Sequence, residues 1–294
     1  MRQIYRCAGL ALVLALLAGC GGDDEPSVPA PFTYDSQALD VKRTPTSFGN
    51  GDVKVEKISF TGPGDTRLTG YLATPAASET HPAVIYAHGA GGDRQELLDE
   101  ARSMAERGAV ALTLDMTYSP SRREGLPTTG MEAVRANSDL EVESVKEVRR
   151  AVDLLRSLDS VDGDRIGYVG WSRGARMGAL ISGIEHRIKA FDLIGGGAAP
   201  ISAYLDAAPA ELRPELREIL EKTDPLSHIA QAAPSALLFQ LARQDEVVPE
   251  AALRELARAG SEPKEVRWYE SGHLPSEELW ADSREWLANE LELD

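Results

Sequence analysis

From about residue 53 onward, short apolar runs alternate with longer segments whose apolar residues recur at helical spacing. Val53–Phe60 alternates apolar and polar positions, the period of a half-exposed strand. Gly62-Pro63-Gly64-Asp65 is a turn signal, and Arg67–Ala73 can return as the second strand of a hairpin. Ala83–Ala87, Val110–Leu114, Ile166–Gly170, Ala190–Ile194 and Ala236–Ala242 are short apolar runs, the pattern of strands covered on both faces. Val266–Tyr269 adds another strand. Between these runs, Arg94–Arg107, Leu140–Leu158, Ser172–Ile184, Glu250–Ala259 and Ser276–Leu291 read as helices. The clearest is Leu140–Leu158, with Val145, Val148, Val152 and Leu155 in phase on one face. Strands alternating with helices predict an α/β fold: a mostly parallel sheet of about eight strands, covered on both faces, with an antiparallel hairpin at one edge.

Two segments interrupt the alternation. Ser119–Ser138 is polar, contains Pro120, Gly125 and Pro127, and reads as a long loop. Pro200–Ala233 is helical, polar and punctuated by prolines, and its place between two strands suggests a small lid. Asp162-Gly163-Asp164 reads as a turn.

The first twenty residues follow another pattern. Arg2 and Arg6 precede the apolar run Ala8–Ala18, which is too short to span a bilayer but fits the apolar stretch of an export signal. The run ends in Leu17-Ala18-Gly19-Cys20, which resembles the lipobox of bacterial lipoproteins. The resemblance implies cleavage before Cys20, a diacylglycerol on its thiol, and a protein held by lipid on the outer face of a bacterial membrane. Residues 21–52 are rich in Gly, Pro, Asp and Ser with little periodicity and read as a flexible tether. The expected organisation is therefore a signal at 1–19, a tether at 20–52 and a folded domain at 53–294, with a lid at about 200–233. The only cysteines are Cys7 and Cys20, so a chain cut before Cys20 has no internal disulfide. A formal charge of −16 repels phosphate backbones, which argues against nucleic-acid partners. No glycine-rich nucleotide loop or metal-ligand motif stands out, and no cofactor is expected.

Candidate chemistry centres on Gly170-Trp171-Ser172-Arg173-Gly174. The motif follows an apolar strand and opens a helix containing Gly174, Ala175 and Gly178. A serine on such a tight corner has its hydroxyl pushed out of the sheet, and side chains at the flanking glycines would clash with neighbouring backbone. The plain alternative is a strand–turn–helix corner with a capping serine. A neutral serine needs a base, for which histidine is suited near neutral pH. His273, between a strand and the last helix, is the favoured base. His81 reads as surface loop, His186 as solvated, His228 as a packing residue and His88 as structural. The orienting acid is expected between serine and base in chain order. Asp245 is the candidate, with Glu246 the alternative. His88-Gly89-Ala90-Gly91-Gly92 follows another strand, and the amides of Ala90 and Arg173 are the expected donors to an oxyanion. Arg122 and Arg123 could meet a substrate carboxylate or belong to a solvated loop.

Together His88–Gly92, Gly170–Gly174, Asp245–Pro249 and Gly272–His273 resemble the dienelactone hydrolase-related branch of the α/β-hydrolases. They are also similar to the catalytic domains of the prolyl oligopeptidase family. The resemblance runs from about residue 53 to the C-terminus. It implies a Ser-His-Asp triad and hydrolysis of a small-molecule ester or amide. Two positions depart from the pattern. Dienelactone hydrolases carry cysteine where this chain has Ser172, and the acid loop usually carries glycine where Ala242 stands. The expected function is carboxylic ester hydrolysis through an acyl-enzyme. The alternatives are a serine peptidase of the same mechanism and a non-catalytic binding lipoprotein on the same fold.

Overall fold

The computed structural model describes residues 28–293. Nine strands among them form one sheet: β1 (Lys42–Pro45), β2 (Val53–Thr61), β3 (Arg67–Pro75), β4 (His81–Ala87), β5 (Val110–Leu114), β6 (Val161–Trp171), β7 (Ile188–Ile194), β8 (Ala236–Ala242) and β9 (Lys264–Tyr269). Their order across the sheet is β1-β2-β3-β5-β4-β6-β7-β8-β9. The first three pair antiparallel, as does β3 with β5, and all pairings from β5 to β9 are parallel. The mostly parallel α/β sheet expected from the sequence is thus present, with one strand more than the pattern suggested.

The helices are α1 (Leu98–Glu106), α2 (Gly130–Arg156), α3 (Arg173–Ser182), α4 (Ile201–Ala207), α5 (Arg213–Lys222), α6 (Pro225–Ile229), α7 (Glu250–Ala259) and α8 (Glu277–Glu290). Alternate residues of the central strands enter two separate cores. Ile85 and Ala87 join Val148 of α2, Leu180 of α3 and Leu253 of α7 on one face. Val84 and Tyr86 join Met104 of α1 and Trp286 of α8 on the other. Burial on both faces is why β4, β5 and β8 read as nearly continuous apolar runs.

Several expectations need correction. Residues 28–52 are not a free tether. Phe32 is 1% exposed and joins the α2 core, and Arg149 donates to its carbonyl at 2.7 Å. The Tyr34 hydroxyl donates to Asp153 at 2.7 Å, and β1 pairs with β2. One buried aromatic ring, a few single side-chain hydrogen bonds and strand pairing carry this docking, so hydrophobic periodicity gave little sign of it. Residues 1–27, with the signal and Cys20, lie outside the described residues.

The long loop ends at Thr129, because α2 begins at Gly130 and runs for 27 residues. Its first turns are polar because only part of their surface meets another helix, α5. His81 is not surface loop: it opens β4, 2% exposed, and its amide donates to the Ser160 carbonyl at 2.9 Å. The Asp162–Asp164 segment falls within β6, at a shift of register against β4 between His81 and Ala83. Of the proposed lid, α4 and α5 stand at the edge of the fold, whereas α6 buries Pro225 and Ile229 in the core.

Candidate active site

The site lies where β6, β7, β8 and β9 end. β6 runs into Ser172, whose backbone is held at φ 55°, ψ −111°, and α3 starts at the next residue. For a non-glycine residue this is a strained conformation, and it persists because its surroundings over-determine it. The Ser172 amide donates to the Ile194 carbonyl at 2.7 Å, and its carbonyl accepts from the Arg176 amide at 3.1 Å. The flanking glycines are required. A Cβ on Gly174 would overlap the Ala87 carbonyl, and one on Gly170 would overlap the backbone of Gly174. One on Gly178 would come within 2.6 Å of both Leu193 and Tyr168. The close helix–strand approach read from Gly174, Ala175 and Gly178 is therefore real.

Ser172, His273 and Asp245 come together although they are far apart in the chain. The Ser172 hydroxyl lies 2.9 Å from His273 Nε2, and His273 Nδ1 lies 2.8 Å from Asp245 Oδ2. In the matching tautomer, Nδ1–H donates to the carboxylate and Nε2 accepts from the serine. The second oxygen of Asp245 accepts from the amides of Val247 at 2.9 Å and Val248 at 2.7 Å. Those bonds fix the carboxylate's direction. Glu246 does not reach the imidazole. Its Oε2 accepts from the His273 amide at 3.1 Å instead. The loops bearing Asp245 and His273 are also tied by Gln244 N–H to Ser271 O at 3.1 Å.

Trp171 supports the imidazole. Its Nε1–H donates to the His273 carbonyl at 3.1 Å, and its ring centroid lies 5.7 Å from that of His273. As the variable residue of G-x-S-x-G it carried no sequence signal beyond being large and aromatic at a corner. Gly195, after the end of β7, takes a φ of 60° that favours glycine and lies in contact with the pair: a Cβ there would stand 3.6 Å from the imidazole. Glu96 is a second residue that sequence reasoning missed. It accepts from the Gly89 amide at 2.7 Å and so shapes the glycine loop.

In that loop the Gly89 and Gly92 amides are occupied, the latter by the Gly89 carbonyl at 3.3 Å. The Ala90 amide has no protein acceptor among the described residues. The Arg173 amide opens α3 and so has no acceptor within its helix. His88 is structural: its Nδ1–H donates to Gly89 O at 2.7 Å, and its Nε2 accepts from the Met116 amide at 3.2 Å. Burial lowers its pKa, so it stays neutral.

Arg122 does not face the site. It grips Glu147 through two nitrogens, at 2.8 and 2.5 Å, and donates to the Asp115 carbonyl at 2.9 Å. It is thus part-buried and paired, not free for a carboxylate. Arg123 donates to Asn137 at 3.0 Å. The space at Ser172 is bordered instead by Asn137, Glu141, Arg173, Arg176, Tyr204 and Val248. Arg176 pairs with Glu141, and the Arg173 guanidinium lies over the Tyr118 ring, 5.1 Å from its centroid. Burial lowers the Arg173 pKa. Among the described residues no cluster of His, Cys, Asp or Glu could hold a metal, and no helix is long and apolar enough to cross a membrane.

Comparison with known proteins gives the family and the fold. The profile of the dienelactone hydrolase family matches residues 68–274. A protein of Bradyrhizobium sp named "Probable 2-oxo-3-(5-oxofuran-2-ylidene)propanoate lactonase" is 30% identical over 117 residues. That match spans 40% of this chain and just under half, 46%, of the relative's length. Among solved structures, an acetyl xylan esterase from Paenibacillus sp. R4 superposes with a TM-score of 0.72 at 19% identity, over 86% of this chain and 90% of that one. Acetyl xylan esterase 1 from Thermoanaerobacterium sp. JW/SL YS485 superposes equally well, with a TM-score of 0.72 at 17% identity over 87% of this chain and 88% of that one. At such identities the likeness concerns the fold.

Proposed function

The chain belongs to the dienelactone hydrolase family, and from that premise we propose that it hydrolyses carboxylic esters with Ser172 as nucleophile, His273 as base and Asp245 as orienting acid. The observation that carries the reading is the continuous hydrogen-bonded order Ser172, His273, Asp245 at a strained strand-to-helix turn. His273 Nε2 takes the serine proton as Oγ attacks the acyl carbon. Asp245 holds the Nδ1–H tautomer and stabilises the imidazolium that forms. The amides of Ala90 and Arg173 donate to the oxyanion. His273 then gives its proton to the departing alcohol, leaving an acyl-serine. Water, deprotonated by the same imidazole, attacks the acyl carbon; the bond to Oγ breaks, His273 returns the proton to Ser172, and the carboxylic acid leaves. Each bond is broken by groups of this chain and water, and no cofactor enters the cycle.

The test uses a fluorophosphonate probe and p-nitrophenyl acetate. Wild type should label and turn over. Ser172→Ala should lose labelling and at least about 10⁴-fold in kcat. Hydrolysis that survives in this variant would reject the assignment.

We also propose that the protein is a lipid-anchored envelope protein. The support is the Arg2–Ala18 pattern followed by Leu17-Ala18-Gly19-Cys20. Cys20→Ala should move the protein from the membrane to the soluble fraction. Unchanged fractionation would reject the anchor.

A further inference from the structure

A cavity of about 400 Å³ lies between α2, α4 and α5, with walls formed by Val134, Ile201, Ala207, Leu216 and Leu220. Asn137, Glu141, Arg176 and Tyr204 border both this cavity and the space at Ser172, so the two adjoin along that rim. The charges at the rim are engaged locally. Arg176 pairs with Glu141, and Arg173 lies over Tyr118. Beyond the rim the walls are mainly aliphatic. Ser138, Thr223 and Asp224 also line them, but Ser138 donates to the Ile219 carbonyl and Asp224 accepts from the first amides of α6. The volume is in the range that holds small organic ligands.

The cavity's place fixes which part of an ester can enter it. The leaving oxygen must come within hydrogen-bond reach of His273 Nε2 to receive its proton. Among the described residues, neither His273 nor Trp171 borders the cavity or the space joining it to Ser172. A space next to the nucleophile but not bordered by the base suits the acyl group rather than the alcohol. We propose that this cavity is the acyl subsite, and that the enzyme prefers esters of hydrocarbon acids longer than acetate. The inference rests on the ester-hydrolase reading above. It adds α4 and α5 to the specificity machinery, with Tyr204 and the Glu141–Arg176 pair at the entrance.

The experiment compares kcat/KM of the full chain on p-nitrophenyl acetate, butyrate and octanoate, and on ethyl, butyl and octyl acetate. Burying one methylene raises kcat/KM by about fourfold, so butyrate should exceed acetate by about tenfold or more. The alkyl acetates should differ little. Ala207→Phe fills the cavity from a solvent-exposed position of α4, where added bulk displaces no core residue. It should lower the octanoate-to-acetate ratio at least tenfold. Ala203→Phe, on the same exposed wall, serves if that variant does not fold.

Acyl esters hydrolysed equally at every length, with activity still dependent on Ser172, would overturn the acyl subsite and leave the ester-hydrolase reading standing. So would a preference that follows the alkyl series, or an octanoate-to-acetate ratio unmoved by the filling variants. Failure of every ester would overturn the earlier reading, and the subsite with it.

Discussion

Two aspartates at the carboxyl side of the sheet show how surroundings decide what a carboxylate does. Asp245 sits on the loop after β8, held by two backbone amides and by the imidazole of His273. Asp192 sits within β7 and is fully buried. Its partners are neutral: Gln240 Nε2 at 3.0 and 2.9 Å, and the Ser283 hydroxyl. Gln240 is itself held by the Tyr269 hydroxyl at 2.6 Å. Burial pushes the Asp192 carboxyl up to about 7, against the opposing pull of Ser283, Gln240 and Arg267. Asp245 meets the imidazole of His273 directly, in the geometry of the proposed triad. Asp192 hydrogen-bonds only to neutral groups and the charge of Arg267 does not offset its burial, so its proton is retained until near-neutral pH. A loop at the strand ends can bring an imidazole to a carboxylate, whereas a mid-strand position surrounded by core cannot.

The largest effect that would test this contrast is on turnover. Asp245→Asn should cost about 10³–10⁴-fold in kcat, because the amide cannot hold the required tautomer of His273. Circular dichroism should show an intact fold. A loss below tenfold would mean that Asp245 is only a turn residue.

The next effect is on stability. The folded pKa of Asp192 lies above the unfolded value of about 3.9. Its contribution is therefore fully present below about pH 4 and is lost as pH rises toward about 7, by up to about 4 kcal/mol. Asp192→Asn should flatten that part of the stability–pH curve and leave kcat unchanged. Denaturant melts of both proteins from pH 4.5 to 8.5 read the difference, and parallel curves would remove Asp192 as its source.

The smallest effect belongs to Glu246, whose bond to the His273 amide is exposed. Glu246→Ala should lower kcat by about two- to fivefold, as loss of one ordinary hydrogen bond does. A loss as large as that of Asp245→Asn would transfer the orienting role to Glu246.

The Asp245 half of this contrast was legible in the chain. Asp245 stood between serine and base in order, and the glycines at 170 and 174 marked a corner that tolerates no Cβ. Long-range contacts were less visible. Trp171 holds His273 across 102 residues through one indole N–H, a bond without local periodicity. Phe32 docks a polar segment through one ring and a carbonyl, too little apolar surface to stand out from a tether. The polar first turns of α2 resembled a loop because so little of their surface is covered. His81 resembled one because it adjoins Pro82, yet it opens a buried strand.

By itself, the order of residues determined the class of fold, the corner at Ser172 and the candidates for base and acid. Those depend on local periodicity, on the steric demands of glycine and on chain order. Tertiary packing decided the rest: that β5 inserts between β3 and β4, that Asp245 rather than Glu246 meets the imidazole, and that α2, α4 and α5 leave a cavity adjoining the space at Ser172. Each is a relation between segments distant in the chain, set by which surfaces can be buried together.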